Sequence, residues 1–171
     1  MEEKKEAVRK QPTKKTAKPV EDINLDAKVT VRNLSSSILG FPRRHDGAGD
    51  VTIAANGQQR LTRNEIQAQI NNGNNLFTGT DGQGSHAVIY IEDADTRRWL
   101  GFDDEDRSQF IFTDDTAEEL FAMPYDKFVV KLKDYVVSPL EKRALVDAIK
   151  KLDINDYKKI IYATNYAGFK L

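Results

Sequence analysis

The feature that most constrains this chain is a change of hydrophobic period along its length. Lys28-Val29-Thr30-Val31-Arg32-Asn33 alternates valine with polar residues, the pattern of a half-buried strand. Beyond Thr113 the apolar residues recur at helical spacing instead, as in Phe128, Leu132 and Tyr135, and again in Leu140, Ala144, Leu145, Ala148, Ile149 and Leu152. Strands and short helices first, helices alone afterwards, reads as α+β: a small mixed sheet with short helices, followed by a helical C-terminal third.

Local punctuation refines this. Pro42 stops the apolar run Leu34 to Phe41, and the polar, glycine-containing Arg43 to Asp50 predicts a turn or exposed loop before Val51-Thr52-Ile53-Ala54, a hairpin-like pair. Thr62-Arg63-Asn64-Glu65 has capping-box spacing for a short helix with Ile66 and Ile70 on one face and Gly73 ending it in the left-handed conformation. His86 to Ile91 predicts a strand, expected to be central. Phe110-Ile111-Phe112 reads as a short strand or an extended approach to a helix. Thr116-Ala117-Glu118-Glu119 offers a second capping box, and Pro124 separates that helix from Tyr125 to Val137. Ser138-Pro139-Leu140-Glu141 combines an N-cap serine, a proline at the first helical position and a glutamate at the third. A last helix is expected from Asn155 to before Gly168, using Tyr157, Ile160, Ile161 and Tyr166.

Residues 1–26 lack apolar periodicity, and Pro12, Pro19 and the many Lys, Glu and Thr cannot offset the entropy of ordering a packed segment. The expected organisation is a flexible basic arm, 1–26, and a single α+β domain, 27–171. Within residues 1–20, Lys4, Lys5, Arg9, Lys10, Lys14, Lys15 and Lys18 oppose three Glu, a net +4 that leaves -5 on the rest of a chain whose total is -1. A basic arm on an acidic body can reach an acidic surface or nucleic acid while the body repels the same partner. The absence of cysteine removes disulfides, thiolate zinc sites and cysteine nucleophiles, and fits maturation in a reducing compartment. No stretch approaches the roughly 20 apolar residues of a membrane span, and no hydrophobic signal core follows Met1, so a soluble, untargeted protein is expected.

Catalytic patterns are weak. His45 and His86 have no second histidine nearby to complete a metal site. Asp81-Gly82-Gln83-Gly84 resembles half a calcium loop without the distal glutamate, and its glycines lack the Gly-Lys-Ser/Thr ending of a phosphate cradle. Asp103 to Asp106 could supply paired carboxylates, although consecutive acids ordinarily sit in solvent. Ser35, Ser36 and Ser37 have no suggestively placed histidine. Two helices around Ile154-Asn155-Asp156 could imitate a helix-turn-helix reader, with Lys158 and Lys159 as its basic groups.

Val31-Arg32-Asn33, Leu61-Thr62-Arg63-Asn64-Glu65-Ile66, Asn72-Gly73-Asn74, the strand at His86 to Ile91 and Glu141-Lys142-Arg143 together resemble the pattern of small virion proteins of tailed bacteriophages. The resemblance covers most of residues 28–171 and leaves the arm uncovered. It implies a non-enzymatic, capsid-associated structural part, with no catalytic residue to carry over. The expected function is a minor or auxiliary capsid or head-tail component, made in the host cytoplasm and residing in the virion. Its expected partners are many copies of capsid or neck subunits, with packaged nucleic acid as a further surface for the arm. No cofactor, metal or membrane is expected. The alternative is a nucleic-acid-binding or host-directed regulatory protein using the arm, and a weaker one is an enzyme using Asp103 to Asp106.

Overall fold

The computed structural model describes residues 22–170, so most of the arm, including all seven of its Lys and Arg residues, lies outside the described residues. The chain runs β1 (Lys28–Asn33), β2 (Leu39–Pro42), β3 (Asp50–Ile53), β4 (Gln58–Thr62), α1 (Arg63–Asn71), α2 (Asn75–Thr78), β5 (Ile89–Ile91) and α3 (Ala94–Trp99). It then becomes helical: α4 (Asp114–Ala122), α5 (Tyr125–Tyr135), α6 (Pro139–Lys151) and α7 (Tyr157–Ala167). The fold is α+β, with every strand pairing antiparallel where a mixed sheet was expected.

In β1, Val29, Val31 and Asn33 point inward, as the alternation demands. This strand is the centre of a three-stranded sheet ordered β4-β1-β5, and β2 and β3 form a separate hairpin closed by the Arg43 to Gly49 loop. The strand expected to be central, His86 to Ile91, is instead a three-residue edge. His86 adopts φ 61, which takes it out of the extended region, and only Ile89 to Ile91 reach β1. β4 has a single buried apolar residue, Leu61 opposite Val29, and gives no strand signal on its own.

Two apolar cores result. One gathers Val29, Val31, Phe41, Val51, Ile53, Leu61, Ile66, Phe77, Ile89, Ile91 and Phe102 between the sheet, the hairpin and α1 to α2. The other gathers Phe112, Leu120, Phe121, Phe128, Leu132, Val136, Leu145, Ile149 and Ala163 among α4 to α7. Each fully buried Phe, Leu or Ile contributes about 1.5–3 kcal/mol, so each half has its own source of stability. No residue belongs to both cores.

Helix α6 starts as its sequence demands. Ser138 accepts from the Glu141 N–H, and the Glu141 carboxylate accepts from the Ser138 N–H, a complete capping box with Pro139 inside it. Ser138→Ala is expected to lower stability by about 1 kcal/mol, measured as a shift of the urea midpoint without a change of slope. The second expected capping box does not form: Thr113, three residues before Thr116, caps α4 by accepting the Thr116 N–H. Helix α7 also turns differently. Ile160 and Tyr166 pack, but Tyr157 and Ile161 face outward, and Lys159 takes a buried place instead.

Candidate functional site

The Asp103 to Asp106 carboxylates do not form an acid-base pair. Asp103 binds the Arg97 guanidinium at 2.7 Å and accepts the Gln109 N–H, which fixes the turn after α3. Asp104 accepts the N–H groups of Asp106 and Arg107, closing its own loop, and Glu105 and Asp106 are exposed. Asp81 likewise accepts the Gln83 and Ser85 N–H groups. Burial acts to raise the Asp81 pKa, but the Ser85 and Gln83 donors outweigh it and hold the carboxyl below its usual value. Both features are loop staples. Among the described residues, no three His, Asp or Glu side chains gather as a metal site would.

Ser35 and Ser37 serve the backbone around Asn33. The Asn33 amide, fully buried, donates to the carbonyls of Ser37 and Ala54 and accepts the Ser35 N–H, while Ser35 Oγ donates to Ser37 O. A polar residue at the inward end of β1 is therefore satisfied by the two chain segments it joins.

Glu65, wholly buried at the start of α1, has an arrangement that spacing did not foretell. Thr62 caps α1 as expected, accepting the Glu65 N–H. The carboxylate, however, does not reach back to complete the box. It accepts the N–H groups of Arg44, His45 and Asp46 at 2.7–2.8 Å, and the Gln69 amide besides. Burial works to raise the Glu65 pKa; the Asp46 and Arg44 N–H groups, then Gln69 and His45, overcome it and hold the carboxyl below the ordinary range. Asp46 in turn accepts from the Thr62 hydroxyl. The hairpin loop is thus bound to the helix by charge-assisted bonds. His45 gives its backbone N–H to Glu65 and sets its exposed ring 3.1 Å from the Asp46 carboxylate.

The two lysines at the start of α7 have different surroundings. Lys159 is buried, with Nζ 2.7 Å from Phe121 O at the end of α4 and 3.1 Å from Asp156. There it satisfies a terminal helix carbonyl with a cation at the negative end of the dipole. Lys158 lies 3.7 Å over the Tyr125 ring. Lys158 stays exposed, so of the two lysines only Lys159 is taken up inside the helical half. Beside Lys158, α7 shows outward Tyr157, 75% exposed, and Ile161, one turn later.

Between the two cores runs a cleft of about 350 Å³. Arg32 to Ser36 and Asn56 form one wall, and Phe112 to Asp114 with the Leu140, Ala144, Asp147 and Lys151 face of α6 form the other. In an adjoining narrow gap that shares Leu34, Phe112, Leu140 and Ala144 with the cleft, His86 Nδ1 lies 2.6 Å from Glu141 Oε1. The cap spacing of Glu141 was visible in the sequence, but not its second partner, 55 residues away. Among the described residues, no helix is long and apolar enough to cross a membrane. Comparison with protein-family models, curated proteins and solved structures found no match for this chain.

Proposed function

We propose that the chain is a non-enzymatic structural protein of a tailed-bacteriophage virion, a minor or auxiliary capsid or head-tail component that contacts neighbouring subunits. The observation that carries this reading is where the large apolar side chains are left uncovered. Among the described residues, four of the five exposed ones, Val130, Val137, Tyr157 and Ile161, sit in the helical half; the fifth is Ile38. Tyrosine and aliphatic side chains standing out of a folded surface are the kind a subunit contact covers. The conspicuous polar groups, by contrast, are occupied: Asp81, Asp103 and Glu65 each hold a loop of this chain, which supports a scaffolding role over a catalytic one. The arm residues Lys4, Lys5, Arg9, Lys10, Lys14, Lys15 and Lys18 supply a second attachment, to a capsid subunit or to packaged nucleic acid.

Mass spectrometry of purified particles tests this directly. The full-length protein is expected among the virion components, and its absence from particles sinks the proposal. Tyr157→Glu with Ile161→Glu should change stability by no more than about 0.5 kcal/mol per site yet reduce incorporation; unchanged incorporation removes the α7 face from the contact. A version lacking residues 1–26 separates anchoring by the arm from anchoring by the folded part.

The arm's charge favours a second reading, a nucleic-acid-binding or host-directed regulator. Its signature is affinity for DNA that weakens steeply with salt and disappears when residues 1–26 are removed.

A further inference from the structure

The two halves are joined by little polar contact. Among the described residues, only two hydrogen bonds link residues 22–109 to residues 110–170, and both belong to His86. Its N–H donates to Phe110 O at 3.2 Å, and its Nδ1 meets Glu141 Oε1 at 2.6 Å. Its ring also packs against Phe110 at 5.1 Å, and Phe110 packs in turn on Tyr135 of α5. His86 holds this place with φ 61, a conformation uncommon for a residue with a Cβ.

Each side of the joint is firmly built. Gln109 is tied to the sheet half, its side-chain amide donating to Gly84 O and its backbone N–H to the Asp103 carboxylate, whereas Thr113 already caps α4. Only the extended Phe110 to Phe112 lies between them. On the helical side, Glu141 is held by the Val137 and Ser138 N–H groups on its other oxygen, so the acceptor is oriented before it meets the imidazole. Beside this contact the halves face one another across a narrow gap lined by Leu34, Val88, Phe112, Leu140 and Ala144, which widens into the cleft.

We propose that His86 is a latch: its contact with Glu141 sets the position of the helical half against the sheet half, and its release lets the helical half swing about Phe110 to Phe112 and open the cleft. Opening uncovers the apolar walls at Leu34, Leu140 and Ala144 while leaving both cores intact. The latch does not depend on what the protein attaches to.

The test uses the full chain with His86→Ala and His86→Asn. Asparagine tolerates the left-handed backbone but is too short to reach Glu141 as the imidazole does. Unfolding is followed by the fluorescence of Trp99, the one tryptophan, which lies in the sheet half, and by far-ultraviolet circular dichroism, dominated by α4 to α7. Solution scattering completes the set. The unaltered protein should show coincident transitions. Both variants should show separated transitions and a larger radius of gyration. Coincident transitions with unchanged scattering in either variant overturn the latch. So does loss of both halves together, because releasing a latch must spare the cores.

Discussion

Glu65→Ala is expected to destabilise the protein by about 3–5 kcal/mol, the cost of breaking a buried charged network and leaving donors without acceptors. Three backbone N–H groups, those of Arg44, His45 and Asp46, lose the acceptor they share, and Gln69 loses one of its two. A domain of this size has roughly 5–15 kcal/mol in total, so much of the fold's margin is at stake. Glu65→Gln should cost less, because one oxygen remains, but the amide NH₂ then confronts backbone donors. Urea unfolding followed at Trp99 measures both; a loss below about 1 kcal/mol for alanine, as at an ordinary surface site, would falsify the role assigned to the carboxylate.

The same group sets a pH dependence whose sign can be worked out. Glu65, Asp46 and Asp93 are partly desolvated, which raises their pKa values. Hydrogen bonds reverse this: the loop N–H groups at Glu65, the Thr62 and His45 side chains at Asp46, and Thr96 and Arg63 at Asp93 leave each below its usual value. The unfolded chain therefore takes up protons first as pH falls. The stability these groups provide is present above the unfolded carboxyl range, about pH 4, and is lost as pH drops through their lower folded values. Glu65→Gln should flatten the acid limb of the stability curve; an unchanged limb would mean that Glu65 does not titrate in this way.

Gly79→Ala is the second large effect, expected at about 3–5 kcal/mol from combined backbone strain and overpacking. Gly79 ends α2 with φ 65 and ψ -151, a combination open essentially to glycine alone. A Cβ there would stand 2.0 Å from the Ser85 carbonyl oxygen and 3.0 Å from the Ala87 nitrogen, both backbone atoms that cannot rotate away. Gly82, in the same loop at φ 75 with open space around it, is the control. Its alanine variant meets only the conformational penalty, about 1 kcal/mol. Equal losses at the two positions would show that the close approach to Ser85 does not matter. The turn between Thr78 and His86 carries His86 to the joint, so Gly79→Ala should also loosen the cleft, read as a larger radius of gyration.

Local rules accounted for the elements whose signals are local. The Ser138 box, the end of α1 at Gly73, the break at Pro124 and the alternation of β1 each depend on a few neighbouring side chains and the nearby backbone, and each stands where the residues place it. Where a local signal could be met in more than one way, the structure chose differently. Thr113 and Thr116 can both cap, and Thr113 does; Glu65 can close its own box, yet the loop at Arg44 to Asp46 offers three donors instead of one. β4 carries no local strand signal: Gln58-Gln59-Arg60-Leu61-Thr62 becomes a strand by pairing with β1, not by its composition.

From its residues alone this chain is α+β, with strands early and helices late, because hydrophobic period is a property of neighbours three or four residues apart. Tertiary structure decided what distant groups do. It made β1 rather than β5 the centre of the sheet, turned Lys159 inward to a helix carbonyl, and set His86 against Glu141 across the boundary between two cores. Those outcomes depend on which desolvated donor finds which acceptor. That pairing is settled only when segments tens of residues apart are brought within about 3 Å, a distance no local spacing encodes.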